Sequence, residues 1–323
     1  MVWCRPPCSA NSTICLPVMT NSSLPADAQN LTEPTSTELA QRVQQVALPW
    51  PLTPAPIATT YVCLGESTPP VLCIHGFDSS LFEFRRLLPL LAKDHQTWAV
   101  DMLGFGFTDR VAYPNISPEA IKQHLYAFWT QMIGQPCILA GASMGGAAAL
   151  DFTLTYPDAV AGLVLLDSAG FAAGPAMGKL MVPPLDGWAT AFLRSPRVRR
   201  SISRQAYCDK SFVTADAELC AALHLQCPQW QEALIAFTKS GGYNFLSQRI
   251  QAITCPTLVI WGQQDKILGT KDAQRFEQTI PHCELVWVPD CGHVPHLEKP
   301  HITAEAISRF IQNLENQLTK TKR

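Results

Sequence analysis

The stretch "PCILAGASMGG" at Pro136–Gly146 places one serine between an apolar run and a run of small residues. The apolar residues Cys137–Ala140 predict a short buried strand, and "GGAAALDFTLTYP" after Ser143 predicts a helix. A G-x-S-x-G motif between a strand and a helix holds its serine on a tight turn, where Gly141 and Gly145 let the two elements approach each other. The motif alone is weak, so Ser143 is either a nucleophile or a small residue in a packed turn. The rest of the chain has to decide between them.

The composition excludes several classes of protein. The chain has 323 residues, 47% of them hydrophobic and 15% charged, with a formal net charge of −2. A chain of this length can bury a large core, and its near-neutral charge argues against a nucleic-acid partner. Its 12 cysteines lie mostly in strand-like runs or without the spacing of a zinc site, so no metal is expected. With no leader-like amino terminus and no bilayer-length apolar run, the sequence predicts a cytoplasmic protein.

Short apolar runs alternate with helical patterns along most of the chain, which predicts an α/β fold with a mostly parallel sheet covered on both faces. The alternation breaks between about residues 170 and 246, so we expect a helical cap inserted into the core. Before the core, Ser, Thr, Asn and Pro dominate and predict a disordered arm. "TELAQRVQQVAL" then predicts a short helix. The predicted units are an arm at 1–36, a core at 37–169 and 247–316, a cap at 170–246 and a basic tail at 317–323.

A nucleophilic serine needs a histidine as base and an acid that orients the histidine. Asp265 follows the strand-like run "PTLVIWGQQ", and His293 follows "ELVWVPDCG". The chain order Ser, Asp, His, with each residue at a strand end, matches the α/β-hydrolase arrangement. We therefore predict a triad of Ser143, Asp265 and His293. Three rivals stay open, since Asp167 and Asp290 are alternative acids and His296 is an alternative base.

An oxyanion hole needs two backbone N–H donors. Met144 directly follows the predicted nucleophile, and Phe77 lies in the turn "HGF" after the strand-like run "VLCI". These two amides are the predicted donors. His75 and Asp101 are then expected to hold their loops by hydrogen bonds and to take no part in the chemistry. Such a hydrolase requires no cofactor.

Several stretches resemble the chlorophyll dephytylases of plants and cyanobacteria over roughly residues 60–312. They are "HGFDSSLFEFRRLLPLL", "TWAVDMLGFGFTD", "AFTKSGGYNF", "LVIWGQQDKI" and "CGHVPHLEKP". The resemblance implies hydrolysis of the phytyl ester of chlorophyll to chlorophyllide and phytol, at a thylakoid surface. It also implies the same triad and the same oxyanion donors. The turn G-A-S-M-G departs from the proline and leucine expected around the serine in plants, and the missing targeting segment suggests a cyanobacterium-like source.

The predicted cap is rich in apolar residues, which suit a lipophilic ester and equally suit the core of a small cap. Its stretch "RSPRVRRSISR" forms either a solvated face or a contact with anionic membrane lipid. The arginines concerned are Arg194, Arg197, Arg199, Arg200 and Arg204. Two other functions stay open: a carboxylesterase or lipase-like hydrolase of other esters, and a pigment-binding protein on the same fold.

Overall fold

A computed structural model describes residues 19–20, 24–51, 55–110, 115–171 and 182–321. The strands are β1 (Met19–Thr20), β2 (Gln44–Leu48), β3 (Ile57–Leu64), β4 (Val71–Ile74), β5 (Thr97–Val100), β6 (Cys137–Ala142), β7 (Val160–Leu166), β8 (Thr257–Gly262) and β9 (Cys283–Val288). The helices are α1 (Pro34–Arg42), α2 (Leu88–Leu91), α3 (Pro118–Phe128), α4 (Met144–Thr155), α5 (Leu185–Arg194), α6 (Pro196–Ala206), α7 (Ala215–Cys220), α8 (Trp230–Lys239), α9 (Lys271–Thr279), α10 (Pro295–Glu298) and α11 (Pro300–Thr321).

The strands form one sheet in the order β1-β2-β3-β5-β4-β6-β7-β8-β9. Neighbours from β5 through β4 and β6 to β9 pair in parallel, whereas β1, β2, β3 and β5 pair antiparallel in succession. The mostly parallel sheet predicted from the sequence is thus confirmed. Because the carboxyl ends of parallel strands meet at one edge, residues that follow β4, β6, β7, β8 and β9 are brought together there.

Both faces of the sheet are buried. In β4, Leu72 and Ile74 belong to one hydrophobic cluster, and Val71 and Cys73 belong to a second. Successive side chains of a strand point to opposite faces, so the two clusters lie on opposite sides of the sheet. This double burial explains why the strands read as continuous apolar runs in the sequence.

The predicted disordered arm at 1–36 is wrong for residues 24–36. Ala26–Asn30 form a 3₁₀ turn, and α1 begins at Pro34. The segment is held by Asp216 of α7, whose carboxylate accepts hydrogen bonds from Thr32 N, Glu33 N and Ser36 Oγ at 2.5, 3.0 and 2.6 Å. Composition does not reveal such a distant partner. Residues 1–18 and 21–23 of the predicted arm lie outside the described part of the chain.

Two further predictions differ from the structure at element ends. The helix predicted for "TELAQRVQQVAL" stops at Arg42, and its second half is strand β2, which pairs with β3. At the other end, α11 continues through Thr321, so most of the predicted tail at 317–323 extends a helix. Residues 322–323 are not described.

The segment between β7 and β8 is here called the cap. Between residues 182 and 256, the cap contains α5, α6, α7 and α8 with short 3₁₀ turns and no strand. Residues 172–181 of the predicted cap lie outside the described chain. Among the described helices, none has the length and apolar character needed to cross a membrane.

Candidate active site

Ser143 stands between β6 and α4 with φ 52° and ψ −118°. Positive φ is strained for a residue with a side chain and persists only where the surroundings enforce it. Here Ser143 N donates to Leu166 O at 2.9 Å, and Ser143 O accepts from Gly146 N and Ala169 N at 3.0 and 2.9 Å. These bonds fix the turn and leave the half-buried hydroxyl free to act.

The two glycines of the motif are required by close backbone contacts. A Cβ at Gly141 would overlap the carbonyl of Gly145, and a Cβ at Gly145 would overlap the carbonyl oxygens of Ile74 and His75. The strand and helix that flank Ser143 can therefore approach only because both positions lack a side chain.

The structure brings Asp265 and His293 together, as the triad prediction requires. His293 Nδ1 lies 2.9 Å from Asp265 Oδ2, and Asp265 Oδ1 accepts from Ile267 N and Leu268 N at 2.7 and 3.1 Å. Burial raises the pKa of Asp265, but the hydrogen bond and charge of His293 and these two amides outweigh burial and lower it. Asp265 is thus held as a carboxylate that orients the imidazole.

The loop that carries His293 is held by both the core and the cap. Gly292 N donates to the buried carboxylate of Glu298 at 2.7 Å, and His293 N donates to Ala206 O at 2.6 Å. Glu298 also accepts from Cys208 N and Asp209 N of the cap. The backbone of the predicted base is therefore fixed from two sides.

Ser143 and His293 both line a cavity of about 290 Å³ at the carboxyl edge of the sheet. Within the described chain, no hydrogen bond joins the Ser143 hydroxyl to the imidazole. A serine–histidine contact is commonly loose in a ligand-free site and tightens when substrate binds. The two residues share the space in which a substrate carbonyl would sit.

The turn "HGF" passes directly beside Ser143. A Cβ built on Gly76 would lie 3.4 Å from Ser143 Cβ, and Gly76 N donates to the buried Glu83 carboxylate at 2.7 Å. Among described groups, neither Phe77 N nor Met144 N donates a hydrogen bond. An oxyanion hole needs two such amides that are free to donate.

His75 and Asp101 have the contacts expected of structural residues. His75 Nδ1 donates to Gly76 O at 2.8 Å and Nε2 accepts from Met102 N at 3.2 Å, which fixes a neutral ring. Burial lowers the pKa of His75 to about 4. Asp101 accepts from Leu81 N and Phe107 N at 2.6 and 2.7 Å. Both side chains hold loops beneath the cavity.

The three alternative triad residues, Asp167, Asp290 and His296, differ in their surroundings. Asp290 is exposed, and His296 Nε2 pairs with Glu83 at 3.2 Å. Asp167 is different, because ligand atoms of Asp167, Asp265 and His293 lie within 4.8 Å of one another. Burial and the charge of Asp265 raise the pKa of Asp167 well above its ordinary value. The three groups form an acid pair beside an imidazole.

Sequence reasoning missed two carboxylates that organise the site, Asp78 and Glu83. Glu83 is buried, and burial raises its pKa, but the contacts with His296, Gly76 and His75 outweigh it and bring the pKa to about 2. No local signal in the sequence marks such residues, because their partners lie far along the chain. Asp78 stands inside the quoted stretch "HGFDSS", which was the available clue.

A parallel sheet with a serine on a strand–helix turn, and an Asp–His pair beyond later strands, defines an α/β hydrolase. The chain belongs to the alpha/beta hydrolase family, whose model matches residues 71–306. It is 33% identical over 294 residues to the alpha/beta hydrolase domain-containing protein VTE7 of Arabidopsis thaliana, and the match covers 89% of each chain. It is also 24% identical over 267 residues to the human monoacylglycerol lipase ABHD6, with 77% of each chain covered.

Solved structures show the same fold. A thermophilic esterase from Thermogutta terrifontis superposes with a TM-score of 0.70 at 24% identity, covering 84% of this chain and 99% of that one. A serine hydrolase involved in carbazole degradation superposes with a TM-score of 0.68 at 24% identity, covering 79% and 95% of the two chains.

Proposed function

We propose that this α/β hydrolase cleaves the carboxylic ester of a bulky lipophilic substrate, namely the phytyl ester of chlorophyll. The observation that carries the proposal is that His293, which is paired with Asp265, lines the same cavity as Ser143. The choice of substrate rests on the resemblance of "HGFDSS" and "SGGYN" to chlorophyll dephytylases. The expected products are chlorophyllide and phytol.

The proposed reaction begins when His293 Nε2 takes the proton of Ser143 and the serine oxygen attacks the ester carbonyl. The Phe77 and Met144 amides stabilise the oxyanion of the tetrahedral intermediate. The bond to the alcohol oxygen then breaks, and His293 returns the proton to the leaving phytol. His293 next deprotonates a water molecule, which attacks the acyl-enzyme and releases the acid and Ser143. Asp265 stabilises the imidazolium in both halves.

The cavity suits an apolar chain. Most of its lining is hydrophobic, and the side chains nearest the cap and the His293 loop include Phe77, Leu193, Ile202, Ile267, Val294 and Leu297. A volume of about 290 Å³ is at the small end of ligand sites, so it fits part of an isoprenoid chain better than a tetrapyrrole ring. We infer that the ring stays at the mouth of the cavity.

The proposal includes peripheral contact with a membrane such as the thylakoid, because α5 exposes an apolar face. Leu185, Trp188 and Phe192 lie on one side of the helix, and the exposed fractions of Trp188 and Phe192 are 68% and 63%. Exposed Arg194 and Arg197 follow at the end of α5 and the start of α6, which complements anionic lipid headgroups.

The arginine cluster predicted to contact lipid is only partly available. Arg199 pairs with Asp78 at 2.6 Å, and Arg200 pairs with Glu218 at 2.5 Å. The proposed membrane surface therefore consists of the α5 face and the exposed Arg194, Arg197 and Arg204, and excludes the two paired arginines.

The test is incubation of the purified protein with chlorophyll a in mild detergent, followed by chromatography for chlorophyllide and phytol. Ser143→Ala is the matched variant, and loss of a triad serine lowers kcat by about 10⁶-fold. Chlorophyllide from the wild type alone supports the proposal. Cleavage of a short nitrophenyl ester without any chlorophyllide would overturn the pigment assignment and leave the hydrolase.

Hydrolysis of smaller lipid esters is the second candidate, and the small cavity and the likeness to a monoacylglycerol lipase favour it. Comparing kcat/KM on a monoacylglycerol and a phytyl ester separates the two. A pigment-binding protein would instead retain chlorophyll while Ser143 stays unreactive toward a fluorophosphonate probe.

A further inference from the structure

Asp78 directly follows the predicted oxyanion donor Phe77, and its side chain is buried, with 7% exposed. Its backbone is strained, with φ 48°. A buried carboxylate is unfavourable unless hydrogen bonds satisfy it, and a strained backbone persists only where contacts enforce it. Asp78 therefore needs strong partners, and the described residues that bond to its side chain all come from the cap.

Three cap side chains donate to the Asp78 carboxylate. Arg199 of α6 donates to Oδ2 at 2.6 Å, Trp230 of α8 donates to Oδ1 at 2.7 Å, and His224 Nε2 lies 3.1 Å from Oδ1. Arg199 also donates to the main-chain oxygens of Asp78 and Ala221 at 3.2 and 2.6 Å. One guanidinium thus holds the side chain and the backbone of the oxyanion loop at the same time.

The charges of this cluster are balanced. Burial lowers the pKa of His224 and outweighs the hydrogen bond and charge of Asp78, which raise it. Burial raises the pKa of Asp78, but the contacts with His224, Arg199 and Trp230 outweigh it and bring the pKa to about 2. The carboxylate is therefore ionised, and it pairs with the Arg199 guanidinium at 2.6 Å.

The aromatic ring of Phe77 packs against α8, the cap helix that also carries Trp230. Phe237 of α8 lies with its ring centroid 6.1 Å from that of Phe77, and Phe105 packs against both rings. The loop that carries the oxyanion donor is consequently clamped by α8 from the side of Phe77 and by α6 from the side of Asp78.

We propose that Asp78 is a positioning residue that couples the cap to the oxyanion hole, by fixing the Phe77 amide through Arg199, His224 and Trp230. Displacing the cap then displaces a catalytic donor, so the cap controls turnover as well as substrate entry. This inference rests on the proposed ester hydrolysis at Ser143 but is independent of which ester is cleaved.

The test measures kcat and KM on p-nitrophenyl butyrate, a short ester that makes few contacts with the cap. We expect Asp78→Asn to lower kcat by about 10- to 100-fold with little change in KM, because a donor misplaced by an ångström loses that much. Arg199→Ala is expected to lower kcat by about tenfold, and Arg199→Lys by less. Arg200→Ala, the neighbouring arginine paired with Glu218, is the matched control and stays within about twofold.

A second readout separates positioning from folding. A trifluoromethyl ketone forms a tetrahedral adduct whose oxyanion occupies the hole, so its inhibition constant should weaken in step with kcat/KM for Asp78→Asn. Thermal unfolding identifies any variant that fails to fold. If Asp78→Asn does not fold, Trp230→Phe is tested in its place, because it removes one hydrogen-bond donor and keeps an aromatic ring. An increase in KM with kcat unchanged would overturn the proposal and leave Asp78 as a cap anchor. A wild type inactive on every ester would instead contradict the proposed function.

Discussion

Asp167 and Asp265 lie side by side at the ends of the neighbouring parallel strands β7 and β8, with carboxyl oxygens within 4.8 Å of each other. Gly262 N donates to Asp167 Oδ1 at 3.1 Å, and Asp265 faces His293. Two adjacent carboxyls cannot both ionise easily, so the pair divides into one carboxylate and one acid. His293 and two amides lower the pKa of Asp265, whereas burial and the charge of Asp265 raise the pKa of Asp167.

Asp167→Asn is expected to remain folded and active. An asparagine amide can donate to Asp265 as a protonated carboxyl does, while its oxygen still accepts from Gly262 N. We expect kcat on a short ester to stay within about fivefold of the wild type, whereas Asp167→Ala, which has no donor, loses about tenfold. Equal losses in both variants would contradict a hydrogen-bonding role for the protonated acid.

Asp167→Asn also tests how the stability of the fold depends on pH. Burial raises the folded-state pKa of Asp167 well above the ordinary 3.8. The protonated side chain therefore stabilises the fold fully below about pH 3.8, and this stabilisation is lost as the pH rises toward the folded-state pKa. Asp167→Asn does not titrate, so its melting temperature should rise relative to that of the wild type as the pH increases above about 4, which thermal denaturation over a pH series measures. A constant difference across the range would show that Asp167 is ionised in the folded protein.

Asp265→Asn tests the role of the negative charge. The amide preserves the shape of the residue but cannot stabilise the imidazolium, so kcat is expected to fall by about 10³- to 10⁴-fold with a small change in KM. The double variant with Asp167→Asn shows whether Asp167 supplies residual activity as a substitute acid. Near-wild-type turnover in Asp265→Asn would remove Asp265 from the proposed triad.

The placement of the proposed triad residues at one edge of the sheet could be predicted because each follows a strand, and parallel strands deliver their carboxyl ends to one edge. Ser143, Asp265 and His293 needed only this rule and the chemistry of their side chains. The rule favours Asp265 but leaves Asp167 open as an alternative acid, because the two strands are neighbours and both acids reach the same edge. The 2.9 Å contact between His293 Nδ1 and Asp265 Oδ2 identifies Asp265 as the acid that bonds to the imidazole.

The missed features depend on contacts between distant parts of the chain. Asp78 and Arg199 are 121 positions apart, and Thr32 and Asp216 are 184 apart. A local reading of composition treats Asp78 as a turn residue and residues 24–36 as disordered. Only the way the cap docks on the core reveals that Asp78 is held by Arg199 and that residues 24–36 are held by the buried Asp216 carboxylate.

Gly145→Ala is expected to abolish folding of the site. The added Cβ would overlap the backbone carbonyls of Ile74 and His75, which cannot move without breaking the β4–β6 pairing. Gly187→Ala in α5 is the matched control, because the nearest atom to its Cβ is the end of the Gln231 side chain at 3.8 Å. Alanine there should be neutral or stabilising by up to about 1 kcal/mol. Soluble expression and thermal unfolding of both variants are the measurements.

The α5 face predicts an interface-dependent activity. Trp188→Ser with Phe192→Ser should reduce flotation with anionic liposomes and hydrolysis of vesicle-embedded ester, while turnover of a short soluble ester stays within about twofold. Charge reversal at Arg194, Arg197 and Arg204 should reduce binding mainly at low salt, because headgroup attraction is screened. Unchanged flotation of both variants would contradict the membrane surface.

Asp216→Ala is expected to release the amino-terminal segment from the cap. The substitution leaves the amides of Thr32 and Glu33 and the Ser36 hydroxyl without their acceptor, which we expect to cost about 1 to 3 kcal/mol of unfolding free energy. Burial raises the pKa of Asp216, but these hydrogen bonds outweigh it and lower the pKa, so the difference from wild type should shrink as the pH falls through the folded pKa. Asp272→Ala, which removes a surface pair with Arg275, is the control and should change stability by less than about 0.5 kcal/mol. Urea denaturation at neutral and acidic pH measures both, and equal effects of the two substitutions would mean that residues 24–36 add nothing to the stability of the fold.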